Sequence, residues 1–398
     1  MGIQTASQAI INENSNVSTF GVFRNRIQNG EININQRAVA NTTNTASVIN
    51  AAGIVIDRWK PEHYNIGGSF NPNLSMSQIA DHPIKGSNGY CLEIKCNTTG
   101  TTANNVDFFS MSQSIEAQNI SDAFSGANSP ALTLSFWVKS NKTGTYCVEL
   151  RDNSSSGGNY ISIYEYTIIQ SGVWEKKVIN IPKPTYSSMV STNVSGLGVM
   201  FHYASALNFT YDPSMAPALN AWLNKGTQGA ATNNQTNLFT AAGNYHRLTD
   251  VQLEIGTTAT PFERRPYSLE LQLCQRYFYP IYNYNATGAS TGYVNSGHVA
   301  SIASTTGTNL HIKTVPMRTY PTVNFSNPSG QIGANWSGAG GCTFGTSVSY
   351  YTAYDNKMFD VHLLGFAGCT NSIATGSACT LYINSASAAA YLNFSAEL

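Results

Sequence analysis

The residues of this chain best suited to chemistry are aromatic rather than catalytic. The last third carries Tyr282, Tyr284, Trp336, Tyr350, Tyr351 and Tyr354 among Asn, Ser and Gly. Such rings suit sugars, because a pyranose stacks on a flat aromatic face while amides and carboxylates take its hydroxyls. These six are the candidate carbohydrate-binding residues. Trp336 lies in Gly333-Ala-Asn-Trp-Ser-Gly-Ala-Gly-Gly341, which reads as a loop, an odd place for a core residue. The alternative is that the Tyr cluster fills a core or a subunit interface. Trp59, Trp137 and Trp174 fall within strand patterns and read as core.

Catalytic constellations are harder to assemble. There is no phosphate-binding loop, no His-Glu-x-x-His and no metal-type Cys-x-x-Cys. Gly288-Ala-Ser-Thr-Gly292 has the spacing of a nucleophile elbow, but that device needs a strand before the Ser and a helix after it. Here the flanks are turn-like. The 7 His are scattered, and His298 with His311 on neighbouring strands would still not complete a metal site. A glycosidase needs two carboxyls on opposite sides of a sugar. Glu254 and Glu263 have a simpler role as partners of Arg264 and Arg265. The reading is non-enzymatic, with no catalytic residue and no metal ligand assigned. A structural calcium ion held by loop oxygens is the one cofactor entertained, although no Asp-rich loop marks it.

Two or three domains are expected of 398 residues. Charged residues are only 11%, against the usual quarter, while 42% are hydrophobic. That balance builds cores and leaves neutral, Asn/Ser/Thr-rich surfaces. The formal net charge is zero and no basic tract exists, so nucleic acid is not an expected partner. No apolar run reaches the roughly 18 residues that span a bilayer, and Met1 to Ser18 lacks the pattern of a signal peptide. The 7 Cys are an odd count in a long chain, which suggests assembly in a reducing cytoplasm rather than a disulfide framework.

Short strands separated by Gly/Asn/Ser turns run through the chain. Period-two alternation marks Glu31–Gln36 as a strand, and Ile54–Trp59, Tyr90–Cys96, Val106–Ser114, Leu132–Lys139, Cys147–Leu150, Tyr160–Tyr166, Trp174–Ile181, Leu197–His202 and Tyr245–Glu254 also read as strands. Further strands are expected at 297–303, 311–315, 322–326, 359–365, 378–384 and 389–395. A short helix fits Ala218–Leu223, and Leu269–Tyr279 reads as a helix or turn leading into a strand. The fold class is all-β: a jelly-roll β-sandwich over 21–265, then a second, smaller β-sandwich domain over 266–398, with residues 1–20 as a polar N-terminal arm. Phe262, Glu263, Arg264, Arg265 and Tyr267 form the junction between the two domains.

Three separated stretches resemble virion structural proteins of tailed phages, of the tail-fibre and receptor-binding type. The first is Phe23-Arg-Asn-Arg-Ile-Gln-Asn-Gly-Glu-Ile-Asn-Ile-Asn-Gln-Arg37 with Ile56-Asp-Arg-Trp59. The second, Leu134-Ser-Phe-Trp-Val-Lys139 with Gly172-Val-Trp-Glu175 and Ile179-Asn-Ile-Pro182, is similar to carbohydrate-binding-module jelly rolls. The third is Leu248–Tyr277, followed by Val315-Pro-Met-Arg-Thr-Tyr-Pro-Thr-Val323 and Tyr391–Leu398. The resemblance implies a virion surface protein, commonly a homotrimer, without catalytic residues. The expected role is a short tail fibre or receptor-binding appendage attaching to a host-surface glycan. Its arm would dock on other virion proteins and its C-terminal domain would face the host. A capsid decoration or connector protein is the alternative, and a polysaccharide depolymerase a more distant one.

Overall fold

The structure is a computed structural model. It describes residues 23–37, 54, 56–64, 73–99, 108–154, 160–184, 186, 192–205, 220–224, 231–283, 294–304, 307–326, 332–336, 340–343, 348–353, 358–364, 378–383 and 391–397; side chains are described to 280 (Tyr64 excepted), at 314–324 and at 394–397. The first strands are β1 (Lys60–Tyr64), β2 (Asn73–Ile79), β3 (Cys91–Thr98), β4 (Phe108–Glu116), β5 (Leu132–Ser140) and β6 (Gly144–Asp152). Next come β7 (Tyr160–Ile168), β8 (Glu175–Ile181), β9 (Ser195–Ser205), β10 (Leu223–Asn224) and β11 (Tyr245–Ile255). They form a six-stranded sheet, β1-β4-β9-β6-β7-β10, and a five-stranded sheet, β2-β3-β11-β5-β8, all antiparallel. Helix α1 (Tyr267–Gln275) leads into β12 (Phe278–Asn283).

The second part contains β13 (Val294–Ser304), β14 (Gly307–Lys313), β15 (Thr322–Ser326), β16 (Ile332–Trp336) and β17 (Gly340–Thr343). It ends with β18 (Val348–Ala353), β19 (Met358–Leu364), β20 (Ala378–Ile383) and β21 (Tyr391–Ser395). Their sheets are β12-β21-β15 and β17-β16-β20-β13-β14-β19-β18. The chain is therefore an all-β protein whose first part is a jelly-roll sandwich.

Alternation explains the sandwich. β5 buries Leu132, Leu134, Phe136 and Val138, and β9 buries Leu197, Val199, Phe201 and Tyr203. Phe136 meets Phe201 edge-on at 5.0 Å and Tyr166 at 5.1 Å, the arrangement that ring quadrupoles favour. In β11 a bulge falls between Thr249 and Gln252, where Asp250 takes φ 50°. The extra residue resets the phase, so Leu248, Val251 and Leu253 all face the core.

Residues 23–37 lie against this bulge without forming a strand, although Glu31–Gln36 alternates as one. Ile32 has φ 59°, which ladder pairing does not tolerate, yet Ile27, Ile32 and Ile34 are fully buried. Side chains satisfy the irregular backbone instead. The Asn25 carboxamide donates to Val251 O at 3.0 Å and accepts from Ile27 N at 2.9 Å and Leu253 N at 3.1 Å. The Asn29 carboxamide donates to Ile34 O at 2.8 Å and Asp57 O at 2.9 Å, and accepts from Ile34 N at 2.9 Å. Asp57 accepts from Gln36 N at 2.6 Å. Gly30 lies so close to β11 that a Cβ there would sit 2.2 Å from Val251 O.

Elsewhere the strands expected at 90–96, 106–114, 132–139, 147–150, 160–166, 174–181, 197–202 and 245–254 all form, within a few residues at their ends. Ile54–Trp59 does not form a strand. It is a turn closed by Trp59 N on Ile56 O at 2.9 Å with Arg58 at φ 72°, and β1 starts after it. Leu223 begins a strand, not the end of a helix, and 206–219 and the arm 1–20 lie outside the described residues. Gly333–Gly341 holds a hairpin, not a loop: β16 pairs with β17, Trp336 opposite Gly340.

Asn25→Ala would strand Val251 O, Ile27 N and Leu253 N in the interior. At roughly 1–3 kcal/mol per orphaned group, the expected loss is about 3 kcal/mol. Urea unfolding should show it as a lower midpoint at an unchanged slope.

Candidate functional site

The alternation that buries Phe136 also decides what shows on the other side. Thr133, Ser135, Trp137 and Lys139 share the other face of β5, where Thr133 and Ser135 are covered and Trp137 and Lys139 are half-buried. Trp137 is half-buried on the outer face of the five-stranded sheet, with Thr249 of β11 and Lys176 of β8 as its cross-strand partners. Trp174, just before β8, is half-buried beside it, and Tyr245 opens β11 on the same face. This corrects the expectation that Trp137 and Trp174 are core residues. Trp59 is core: it is fully buried, and its indole N–H donates to Asn29 O at 3.1 Å. The missed signal was phase, since Trp137 shares its parity with Lys139 and Ser135 rather than with Leu134 and Phe136.

A row of charges crosses this face: Glu93 of β3, Arg247 of β11 and Lys139 of β5 are successive partners across the ladder. Asp81, in the turn after β2, gathers them. It accepts from Lys139 Nζ at 2.9 Å, from Trp174 Nε1 at 3.2 Å and from Arg247 Nη1. Arg247 Nε also donates to Glu93 Oε2 at 2.7 Å. The Arg247 guanidinium lies 4.4 Å from the Tyr245 ring centre, and Lys139 Nζ 5.8 Å from that of Trp174. Both rings are thus held by cation–π contacts and Trp174 also by a hydrogen bond. Burial acts to raise the Asp81 pKa, but hydrogen bonds from Lys139, Trp174 and Arg247 outweigh it and hold the carboxylate below its ordinary 3.8. Burial likewise works against the charge of Arg247, and Glu93 and Asp81 raise its pKa in net. The result is a rigid half-open surface with flat rings and fixed donors and acceptors, which suits a polyhydroxylated ligand.

The residues expected to bind sugar are not gathered in the same way. Trp336 lies in β16, next to one edge of the seven-stranded sheet, and Tyr350 and Tyr351 lie in β18 at the other edge. Four strands separate them in the hydrogen-bonded order. Tyr282 belongs to β12 in the three-stranded sheet. Of these four only the backbone is described, and Tyr284 and Tyr354 lie outside the described residues.

The junction residues reach mainly back to the N-terminal segment. Glu263 accepts from Arg24 N at 3.1 Å and Asn25 N at 3.0 Å, and Arg265 donates to Ile27 O at 3.2 Å. Contacts to the second part run through other groups. Glu116 of β4 accepts from Arg276 Nε at 2.7 Å and from the Tyr277 hydroxyl at 2.5 Å, and Arg58 Nη1 donates to Glu397 at 2.9 Å.

One cluster has the composition of a metal site: ligand atoms of Glu31, His82 and Asp250 lie within 4.8 Å of one another. Its donors are already spent. His82 Nδ1 accepts from Ile84 N at 3.1 Å and Lys85 N at 3.2 Å, which leaves the proton on Nε2 facing Asp250 Oδ1 at 3.1 Å. Arg264 bridges the two carboxylates, 3.1 Å from each, and Lys85 adds a second cation on Glu31. Fixed side-chain cations stand where a metal would, so the set does not fit one.

No family model matches the chain, and no curated protein matches it. Solved structures that match part of the chain include the enzymatically active domain of tailspike protein 4 of bacteriophage CBA120. It is 11% identical over 58% of this chain and 22% of that one, with a TM-score of 0.31. This chain thus spans under a quarter of that domain's length. The family 11 carbohydrate-binding module from Clostridium thermocellum, in complex with a β-1,3-1,4-mixed-linked tetrasaccharide, is 12% identical over 52% of this chain and 93% of its own, TM-score 0.27. The CBM22-2 xylan-binding domain of Paenibacillus barcinonensis Xyn10C is 14% identical over 52% and 95%, TM-score 0.28. At these scores no residue role is carried over from any of them.

The Asp81 lattice makes a pH prediction. A carboxylate held below 3.8 in the fold adds stability that is complete above that value and fades as pH falls through the lower folded one. Asp81→Asn should therefore be less stable than the parent by a constant margin from pH 7 down to about 4. Below that the margin should close, as read by urea unfolding across pH.

Proposed function

We propose that this chain is a non-catalytic, glycan-binding protein of a phage virion surface, a short tail fibre or receptor-binding appendage. The observation that carries the glycan reading is the outer face of the five-stranded sheet. There Trp137, Trp174 and Tyr245 lie half-open beside Asp81, Glu93, Lys139 and Arg247. A single face of this kind binds weakly, and several copies on one particle, as in a homotrimer, would raise avidity without new contacts. The phage assignment is supported by the three sequence stretches that resemble virion proteins. The arm 1–20 is the proposed dock on other virion proteins, and the C-terminal domain, with Trp336 and its Tyr neighbours, is the alternative sugar-binding surface.

The carboxyl groups support binding over hydrolysis. A glycosidase keeps one carboxyl protonated near neutrality by raising its pKa. Burial works to raise Glu149 and Glu116, but Arg151 with His202, and Arg276 with Tyr277, hold them below the usual carboxylate range. Asp57 is pushed up by burial, but it lies enclosed beside Arg37 and Gln36.

The test is binding of the full chain to purified surface polysaccharide of a susceptible host, with Trp137→Ala and Trp174→Ala. One stacked ring is worth about 1 kcal/mol, so each variant should bind roughly five- to tenfold more weakly, with viscosity of the polysaccharide unchanged. Undiminished binding by both variants would move the site to the C-terminal domain. No binding at all would favour the decoration or connector role.

A further inference from the structure

A cavity of about 210 Å³ lies between the 25–34 turn, Lys85 and residues 262–270, and shares no lining residue with the Trp137–Trp174–Tyr245 face. It is smaller than the roughly 300 Å³ at which pockets for drug-sized ligands begin, so it suits one small ring or side chain. Its charged lining is balanced. Lys85 and Arg264 pair with Glu31, and Arg265 pairs with Glu263 and Glu270, both at 3.2 Å. An ionic ligand would have to break one of these pairs, whereas a neutral polyol can give and take hydrogen bonds without doing so. Arg265, only 6% exposed, is held in the wall by Ile27 O at 3.2 Å and by Glu263 and Glu270.

Aromatic surface is present as well. Phe262 lines the cavity with Arg264 5.4 Å from its ring centre, and Tyr267, also in the lining, is 64% exposed at the start of α1. An exposed ring at the rim of a neutral, hydrogen-bonding cavity of this size matches one pyranose. We infer that the cavity is a one-residue saccharide subsite, taking a neutral sugar unit end-on against Tyr267. It is separate from the platform on the five-stranded sheet. This rests on the glycan-binding reading, but not on which sheet face binds the longer chain.

The test is saturation-transfer NMR on the full chain with glucose, galactose, mannose, N-acetylglucosamine and N-acetylgalactosamine. At least one should receive saturation. In a Trp137→Ala/Trp174→Ala background, which removes the contribution of the sheet face, Tyr267→Ala should cut that signal at least fivefold and Tyr267→Phe should retain it. No transfer to any of the five sugars, or transfer indifferent to Tyr267→Ala, overturns the inference while polysaccharide binding can still stand. Loss of polysaccharide binding with retained Tyr267-dependent transfer would sink the sheet-face reading and leave the subsite.

Discussion

Residues 23–37 enter the protein interior without a strand to pair with, and most of the junction follows from that. A buried backbone must find partners, and here side chains from distant positions supply them. Asn25 and Asn29 act within the segment, Asp57 and Gln113 reach it from the sandwich, and Glu263 and Glu270 reach it from beyond β11. The β11 bulge gives Gly30 its close approach, through Val251 N on Gly30 O at 2.9 Å. Trp59, whose indole caps Asn29 O, carries the knot into the core through Phe201 at 6.2 Å. Arg58, stacked 3.4 Å over Tyr277, carries it towards the second part of the chain.

The stretches that carry the sequence resemblance converge in this geometry. Phe23–Arg37, Asp57-Arg58-Trp59, Leu248–Tyr277 and Glu397 are scattered in sequence yet meet in one knot of hydrogen bonds and ion pairs. Each member serves a partner that only the fold brings near. Asn, Asp, Glu and Arg at those positions therefore look unremarkable in the linear chain, whereas their joint pattern does not.

Strand periodicity was legible because one face of each strand is buried. It yielded β3 to β9 and β11 to within a few residues at their ends, and a helix or turn before a strand after 267. It failed at Glu31–Gln36, where the alternation is real but the backbone bonds go to side chains. It also fails for Trp137, whose parity with Ser135 and Lys139, not its aromatic character, sets its face. Asp81 was not legible at all: its importance comes from Trp174, Lys139 and Arg247, which approach it only when three strands and two turns are in place. The charges after Thr260 read as junction residues, but their partners, some 230 to 240 residues away, were not legible.

On the proposed sheet face Trp174 and Tyr245 are held by Asp81, Lys139 and Arg247 before any ligand arrives, which lowers the side-chain entropy that binding there would cost. The most direct test is an ¹⁵N-indole NMR titration of the 5 Trp with host oligosaccharide. The account predicts shifts at Trp137 and Trp174 Nε1–H, with Trp59 still because its indole is buried against Asn29. Shifts confined to Trp336, or none at any indole under saturating ligand, would contradict it.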